Sequence, residues 1–127
     1  MQKLRTILLL LIIILPFISA GQNFKDRTVQ GEQKARHVVE RALNDKDYKP
    51  FYDTLIKNRE TAIAVAESIL FEIYGKKIII GERPYECYLI DGYWYICGTL
   101  RKNWMGGVFE ILLNSKNATI IKLTHGK

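Results

Sequence analysis

The chain has 127 residues, 48% of them hydrophobic and 25% charged, with a net charge of +6 at neutral pH. Those proportions exclude an intrinsically disordered chain, and the length suits one domain. Two cysteines are too few for a disulfide-built scaffold, and the basic residues are scattered rather than striped, which favours solubility over nucleic-acid binding.

At the N-terminus, Lys3 and Arg5 precede an unbroken apolar run, Ile7–Leu15. Pro16 then bends the chain, and Ser19-Ala20 offers a small-residue cleavage site before Gly21. Residues 1–20 therefore read as a secretory signal peptide. The apolar run is short for a permanent membrane span. Ile18 suits the cleavage site poorly, so a membrane contact enters only as an uncleaved N-terminal anchor. No cysteine follows the run to carry a lipid. Removing Lys3 and Arg5 takes the net charge from +6 to +4. The expected location is the periplasm or the exterior.

Residues 21–31 are polar and read as a loose leader. Residues 32–127 read as the folded domain, and a helix is predicted first, over Glu32–Asn44. Ala35, Val38, Val39, Ala42 and Leu43 recur on one face, the stripe of a core-facing helix. Pro50 cannot continue a helix, and Phe51–Ile56 is expected as a short helical turn. Asn58 is placed to cap a second helix. Its apolar face is Ala62, Ile63, Ala66, Ile69, Leu70, Ile73 and Tyr74, with Glu60, Glu67 and Glu72 on the polar side. Gly75 is expected to stop it in the left-handed conformation. Ile78–Ile80 reads as a short strand or an extended connector.

Two strand-like runs, Tyr85–Ile90 and Tyr93–Leu100, flank Asp91-Gly92. Both central residues of a type I′ turn need positive φ, and Asp-Gly supplies it at low strain, so a two-residue hairpin is expected. In that register Ile90 faces Tyr93, Leu89 faces Trp94, and Cys87 faces Ile96. One face carries Tyr85, Cys87, Leu89, Trp94, Ile96, Gly98 and Leu100 and suits a core. The other carries Glu86, Tyr88, Ile90, Tyr93, Tyr95, Cys97 and Thr99. Cys87 and Cys97 fall on opposite faces and should not bond to each other. Val108–Leu113 is expected as a third strand with Phe109, Ile111 and Leu113 on one face. Asn114–Ala118 turns the chain, and Ala118–Thr124 returns with Ile121 and Leu123 beside that face. Helices followed by an antiparallel meander define an α+β domain.

Several segments of this half, in this order and spacing, are similar to the NTF2-fold immunity proteins of polymorphic toxin systems, including the Rhs type. They are Thr-Ala-Ile-Ala-Val-Ala-Glu at 61–67, Tyr74-Gly75, Arg83-Pro84-Tyr85, Leu89-Ile90-Asp91-Gly92-Tyr93-Trp94, Gly98-Thr99-Leu100, Gly106-Gly107-Val108-Phe109-Glu110-Ile111 and His125-Gly126-Lys127. The resemblance covers residues 61–127. It departs at Ala118, where the family's last turn carries glycine. It implies an NTF2-like cone, with N-terminal helices packed on a curved antiparallel sheet. It also implies a protein that is not an enzyme and that occludes one cognate toxin.

Tyr88, Tyr93 and Tyr95 are the candidate toxin contacts on the sheet, since tyrosine gives large contact area at small entropic cost. The same strip would also serve a homodimer. Arg101, Lys102 and Trp104, in the loop before Gly106, are the second candidate contact. Glu67 and Trp94 are the candidates to line an NTF2-type pocket, where Glu67 also reads as a solvated helix residue and Trp94 as core. His37 and His125 read as solvated, and nothing in the spacing of histidines and cysteines suggests catalysis, a metal or a cofactor. The alternative function is a periplasmic NTF2-like small-molecule binder or enzyme using the helix-sheet cavity. A net charge of +4 points to a neutral or acidic toxin, unless an opposite-signed patch is hidden within it.

Overall fold

A computed structural model of the protein describes residues 25–126. The proposed signal peptide and the first residues of the leader lie outside them. The described chain divides into two compact units, one ending at Tyr48 and the other beginning at Lys49.

In the first unit, α1 spans Gly31–Asn44. Arg36 and Glu32, one turn apart, pair at 2.5 Å on its exposed surface. The stripe expected to enter a core does not: α1 buries no residue, and Leu43 is 82% exposed. Periodicity makes a helix present its apolar residues together, but it does not decide what covers them.

The second unit opens with bends, not the helical turn expected at Phe51–Ile56. There the backbone pairs at long range: the Ile56 N–H donates to the Ser115 carbonyl at 2.8 Å, and Ile56 is fully buried. An isolated helical turn could offer neither gain. Asn58 caps α2 (Arg59–Tyr74) as expected, its side chain accepting the Thr61 N–H at 2.8 Å. Ala62, Ala66 and Leu70 are its fully buried face, whereas Ile73 is exposed.

Gly75 has positive φ (92°), but its ψ of 136° is extended rather than left-handed helical. It leads at once into a second helix, α3 (Lys76–Gly81). This overturns the strand or connector expected at Ile78–Ile80. The β-branched run costs a helix only tenths of a kcal/mol per residue, while full burial of Ile79 contributes about 1.5–3 kcal/mol.

Four strands follow, β1 (Glu86–Ile90), β2 (Tyr93–Cys97), β3 (Phe109–Asn114) and β4 (Ile120–His125). They form one antiparallel sheet in the order β1-β2-β3-β4, open at both edges. Asp91 and Gly92 have φ of 49° and 83°, and the hairpin register is the one the turn demands, including Ile90↔Tyr93 and Cys87↔Ile96. Phe109, Ile111 and Leu113 are fully buried with Trp94, Ile96 and the α2 face. Leu89 and Leu100 lie beyond that core and are exposed, contrary to expectation. In β4, Leu123 pairs with Ile111 as expected, but a bulge at Leu112/Leu113 brings Ile120, not Ile121, opposite Leu113. The extra residue in a bulge shifts the alternation by one. Ala118 holds φ 60°, a left-handed conformation costing about 1 kcal/mol relative to glycine.

Both cysteines are free. Cys97 donates its thiol to Glu86 across the pair at 3.3 Å. Thiol labelling of the denatured, unreduced protein should find two reactive groups per chain. A monomer with none would mean that the register is wrong.

Candidate functional site

The sheet has two faces with different fates. The face carrying Trp94, Ile96 and Phe109 packs on α2 and α3 in one core. The other face is built by register. Glu86, Cys97 and Glu110 form one cross-strand row, and Tyr88, Tyr95, Leu112 and Lys122 form the next. Ile90 and Tyr93 close the strip at the hairpin turn. Tyr88, Ile90 and Tyr93 are exposed, Ile90 by 57%. Tyr88, Tyr93 and Tyr95 thus share one surface, as strict alternation requires.

Hydrogen bonds lock this surface. The Tyr88 hydroxyl donates to Glu86 Oε1 at 3.0 Å, and the Tyr95 hydroxyl donates to Glu110 Oε2 at 2.7 Å. Lys122 Nζ lies 3.4 Å from Glu110 Oε1. These carboxylates push both phenols up, Tyr88 through Glu86 and Tyr95 through Glu110. Glu110 is held below the usual carboxylate range, first by Tyr95 and then by Lys122. Burial pushes the Cys97 thiol up, which keeps it protonated and a donor to Glu86.

Arg101, Lys102 and Trp104 lie in the loop that leaves β2 at Cys97, the end opposite Tyr93. The Arg101 guanidinium sits over the Trp104 ring, 5.2 Å from its centroid, and Trp104 is 63% exposed. Trp94 is buried, and its indole N–H donates to the Ile56 carbonyl at 3.0 Å. It is a core residue and does not line the groove that holds Glu67.

That groove, an open cleft of about 440 Å³, is lined by Arg59, Ile63, Glu67, Arg83, Pro84 and Tyr85. Glu67 is not the solvated helix residue its neighbours suggest. Its Oε1 accepts from Arg83 Nε at 2.9 Å, from the second Arg83 nitrogen, and from the Tyr85 hydroxyl at 2.8 Å. Burial, then the Glu67 hydrogen bond, pushes the Tyr85 phenol up to about 12. Arg59 donates to the Tyr85 carbonyl at 3.2 Å. The carboxylate's visible work is to fasten α2 to the segment entering β1.

A second cluster has no counterpart in the sequence reading. Glu82, directly after α3, is buried. Its Oε2 accepts the Phe109 N–H at 2.9 Å, and its Oε1 lies 2.5 Å from His125 Nε2. His125 Nδ1 faces the Gly126 carbonyl at 2.8 Å, and Tyr74 lies against the ring. His125 is therefore a fixed part of the fold and not the solvated residue expected. Three glycines make room here. A Cβ on Gly98 would overlap the Glu82 carboxylate, and Gly107 and Gly126 are in backbone contact. Glycines beside strand ends were the legible signal; Glu82 itself gave none.

A helical layer on one face of an open, antiparallel four-stranded sheet is the architecture of an NTF2-like α+β protein. The chain belongs to the NTF2 fold immunity protein family, whose profile matches residues 61–127. It is 32% identical over 74 residues to "Uncharacterized protein YhhH" of Escherichia coli strain K12, covering 58% of each chain. It is 33% identical over 73 residues to "Uncharacterized protein YbbC" of the same strain, covering 57% of this chain and 60% of that one. The chain thus spans about 60% of the length of these relatives. No solved structure matches it.

Proposed function

We propose that the chain is an exported immunity protein that binds one cognate toxin and neutralises it by occlusion, without catalysing a reaction. Family membership over residues 61–127 carries this reading. The exposed tyrosines of the outer sheet face, and Trp104 in its loop, are aromatic anchors of the kind that concentrate binding energy. The periplasm is the proposed site of action, because Lys3 and Arg5, the Ile7–Leu15 run and Ser19-Ala20 follow the pattern of a signal peptide. At Glu67 the carboxylate joins α2 to the segment entering β1 through Arg83 and Tyr85.

A growth assay tests this. Cells export the C-terminal domain of a toxin candidate, sought among reading frames beside the gene for this chain, with and without this chain. Full-length protein should restore growth, and a version lacking residues 1–20 should not. Rescue only by the shortened version would put the activity in the cytoplasm. Toxicity without rescue by either version would refute immunity to that toxin.

A further inference from the structure

The net charge of the chain and the charge of its outer sheet face have opposite signs, and this bears on what the face can bind. We infer that the outer face of the sheet is the toxin-docking surface and that it takes a cationic, Lys/Arg-bearing patch of the partner. The inference rests on the immunity reading above and deepens it. The positively charged chain would otherwise point to a neutral or acidic toxin.

Three observations carry it. Two of the three charged side chains that the register places on this face are acidic, Glu86 and Glu110, and Lys122 is the third. Both carboxylates are pre-positioned, each by a tyrosine hydroxyl, and they flank Cys97 in one row. Two strand spacings put them about 10 Å apart. Each keeps lone pairs that a guanidinium or ammonium group can use, and fixing them beforehand lowers the ordering cost of binding. Beside them, the exposed rings and aliphatic groups of Tyr88, Tyr93 and Ile90 supply apolar contact. A rigid ladder carries all of this, whereas Arg101, Lys102 and Trp104 sit on a loop. A second copy of this chain is a poorer occupant: a two-fold face-to-face pairing would bring two carboxylates from each copy together, with one lysine from each to offset them.

The test uses the full chain and the toxin domain of the growth assay, inactivated for binding measurements. Ile90 is exposed on this face and engages no charge, so substitutions there change the field without breaking the lattice of hydrogen bonds. Ile90→Lys should weaken binding about tenfold, mainly through slower association, and Ile90→Glu should hold or tighten it. The double variant Glu86→Gln/Glu110→Gln should also lose about tenfold and flatten the salt dependence, while Arg101→Gln/Lys102→Gln stays within about twofold. Melting curves for each variant separate lost binding from lost folding. The opposite order at Ile90, or no change at Ile90 in either direction, would overturn the proposal. So would a wild-type dimer that Ile90→Lys dissociates, since the occupant would then be a second copy. A wild-type chain that binds but does not protect would refute neutralisation and leave the docking face standing. A wild-type chain that does neither removes the immunity reading for that toxin, and this inference with it.

Discussion

Alanine at position 107 should lower the melting temperature by about 15 °C. The added Cβ would fall on the backbone of Gly126, touching its Cα, carbonyl carbon and oxygen. Backbone cannot rotate aside as a side chain does. The Gly126 N–H also donates to the Val108 carbonyl at 3.1 Å, which holds the two segments together. Relief therefore requires moving the end of β4 away from the start of β3. Overpacking of this kind costs about 3 kcal/mol, and about 5 °C per kcal/mol is usual for a unit of this size. Gly81→Ala is the matched control, because a Cβ there meets nothing within 4 Å. It should melt within about 3 °C of wild type, gaining slightly if anything from alanine's helix propensity. Thermal melts by circular dichroism decide it, and equal melting of the two variants would show that the Gly107–Gly126 contact is not a constraint.

Removing the Glu82 carboxylate should cost about 3–5 kcal/mol, as Glu82→Ala, because it strands two partners. The Phe109 N–H loses its acceptor inside the core, and His125 loses its counter-ion. With Glu82 ionised, both ring nitrogens of His125 face acceptors, the carboxylate and the Gly126 carbonyl. A neutral imidazole has only one N–H to give, so the folded state holds the imidazolium. Burial opposes this charge, but the hydrogen bonds to Gly126 and Glu82 outweigh it and raise the histidine above its ordinary value of 6.5. The unfolded chain binds that proton less tightly. The stabilisation is then complete below about pH 6 and disappears as pH rises through the folded-state value. Urea unfolding of wild type and His125→Gln, at pH 5.5 and 8.5, isolates it, since His37 is common to both and cancels. The stability gap should be wide at pH 5.5 and narrower at 8.5. A gap that grows with pH would mean that the ring is bound neutral.

The hairpin shows how far local chemistry reaches. Asp91-Gly92 admits positive φ at both positions, and a two-residue loop leaves one register. From that register alone follow the outward tyrosines, the inward Trp94 and Ile96, and the separation of Cys87 from Cys97. Asn58 and the Ala62/Ala66/Leu70 face were legible for the same reason: each is set by a spacing within one element. The elements that came out differently are those whose conformation depends on remote partners. Ile78–Ile80 has the composition of a strand, yet it is helical because that lets Ile79 into the core and brings Glu82 beneath Gly98. Phe51–Ile56 bends instead of forming a helical turn, and Leu55 and Ile56 donate to Ser115, far along the chain. The bulge in β4 exchanged Ile121 for Ile120.

By itself, then, the sequence determined the helix capped by Asn58, the antiparallel meander, the hairpin register and the family, because turn chemistry and residue periodicity act over a few neighbours. The tertiary structure alone decided the joints. Glu67 with Arg83 and Tyr85, Glu82 with His125, and the contact of Gly107 with Gly126 each join residues 16 to 43 positions apart. Such groups are recognisable only when folding brings them together, since a carboxylate looks the same in a sequence whether water or an imidazolium will satisfy it. The sign of the outer face is of the same kind: net charge sums over the whole chain, and only the strand register decides that Glu86 and Glu110 share one face, on either side of Cys97.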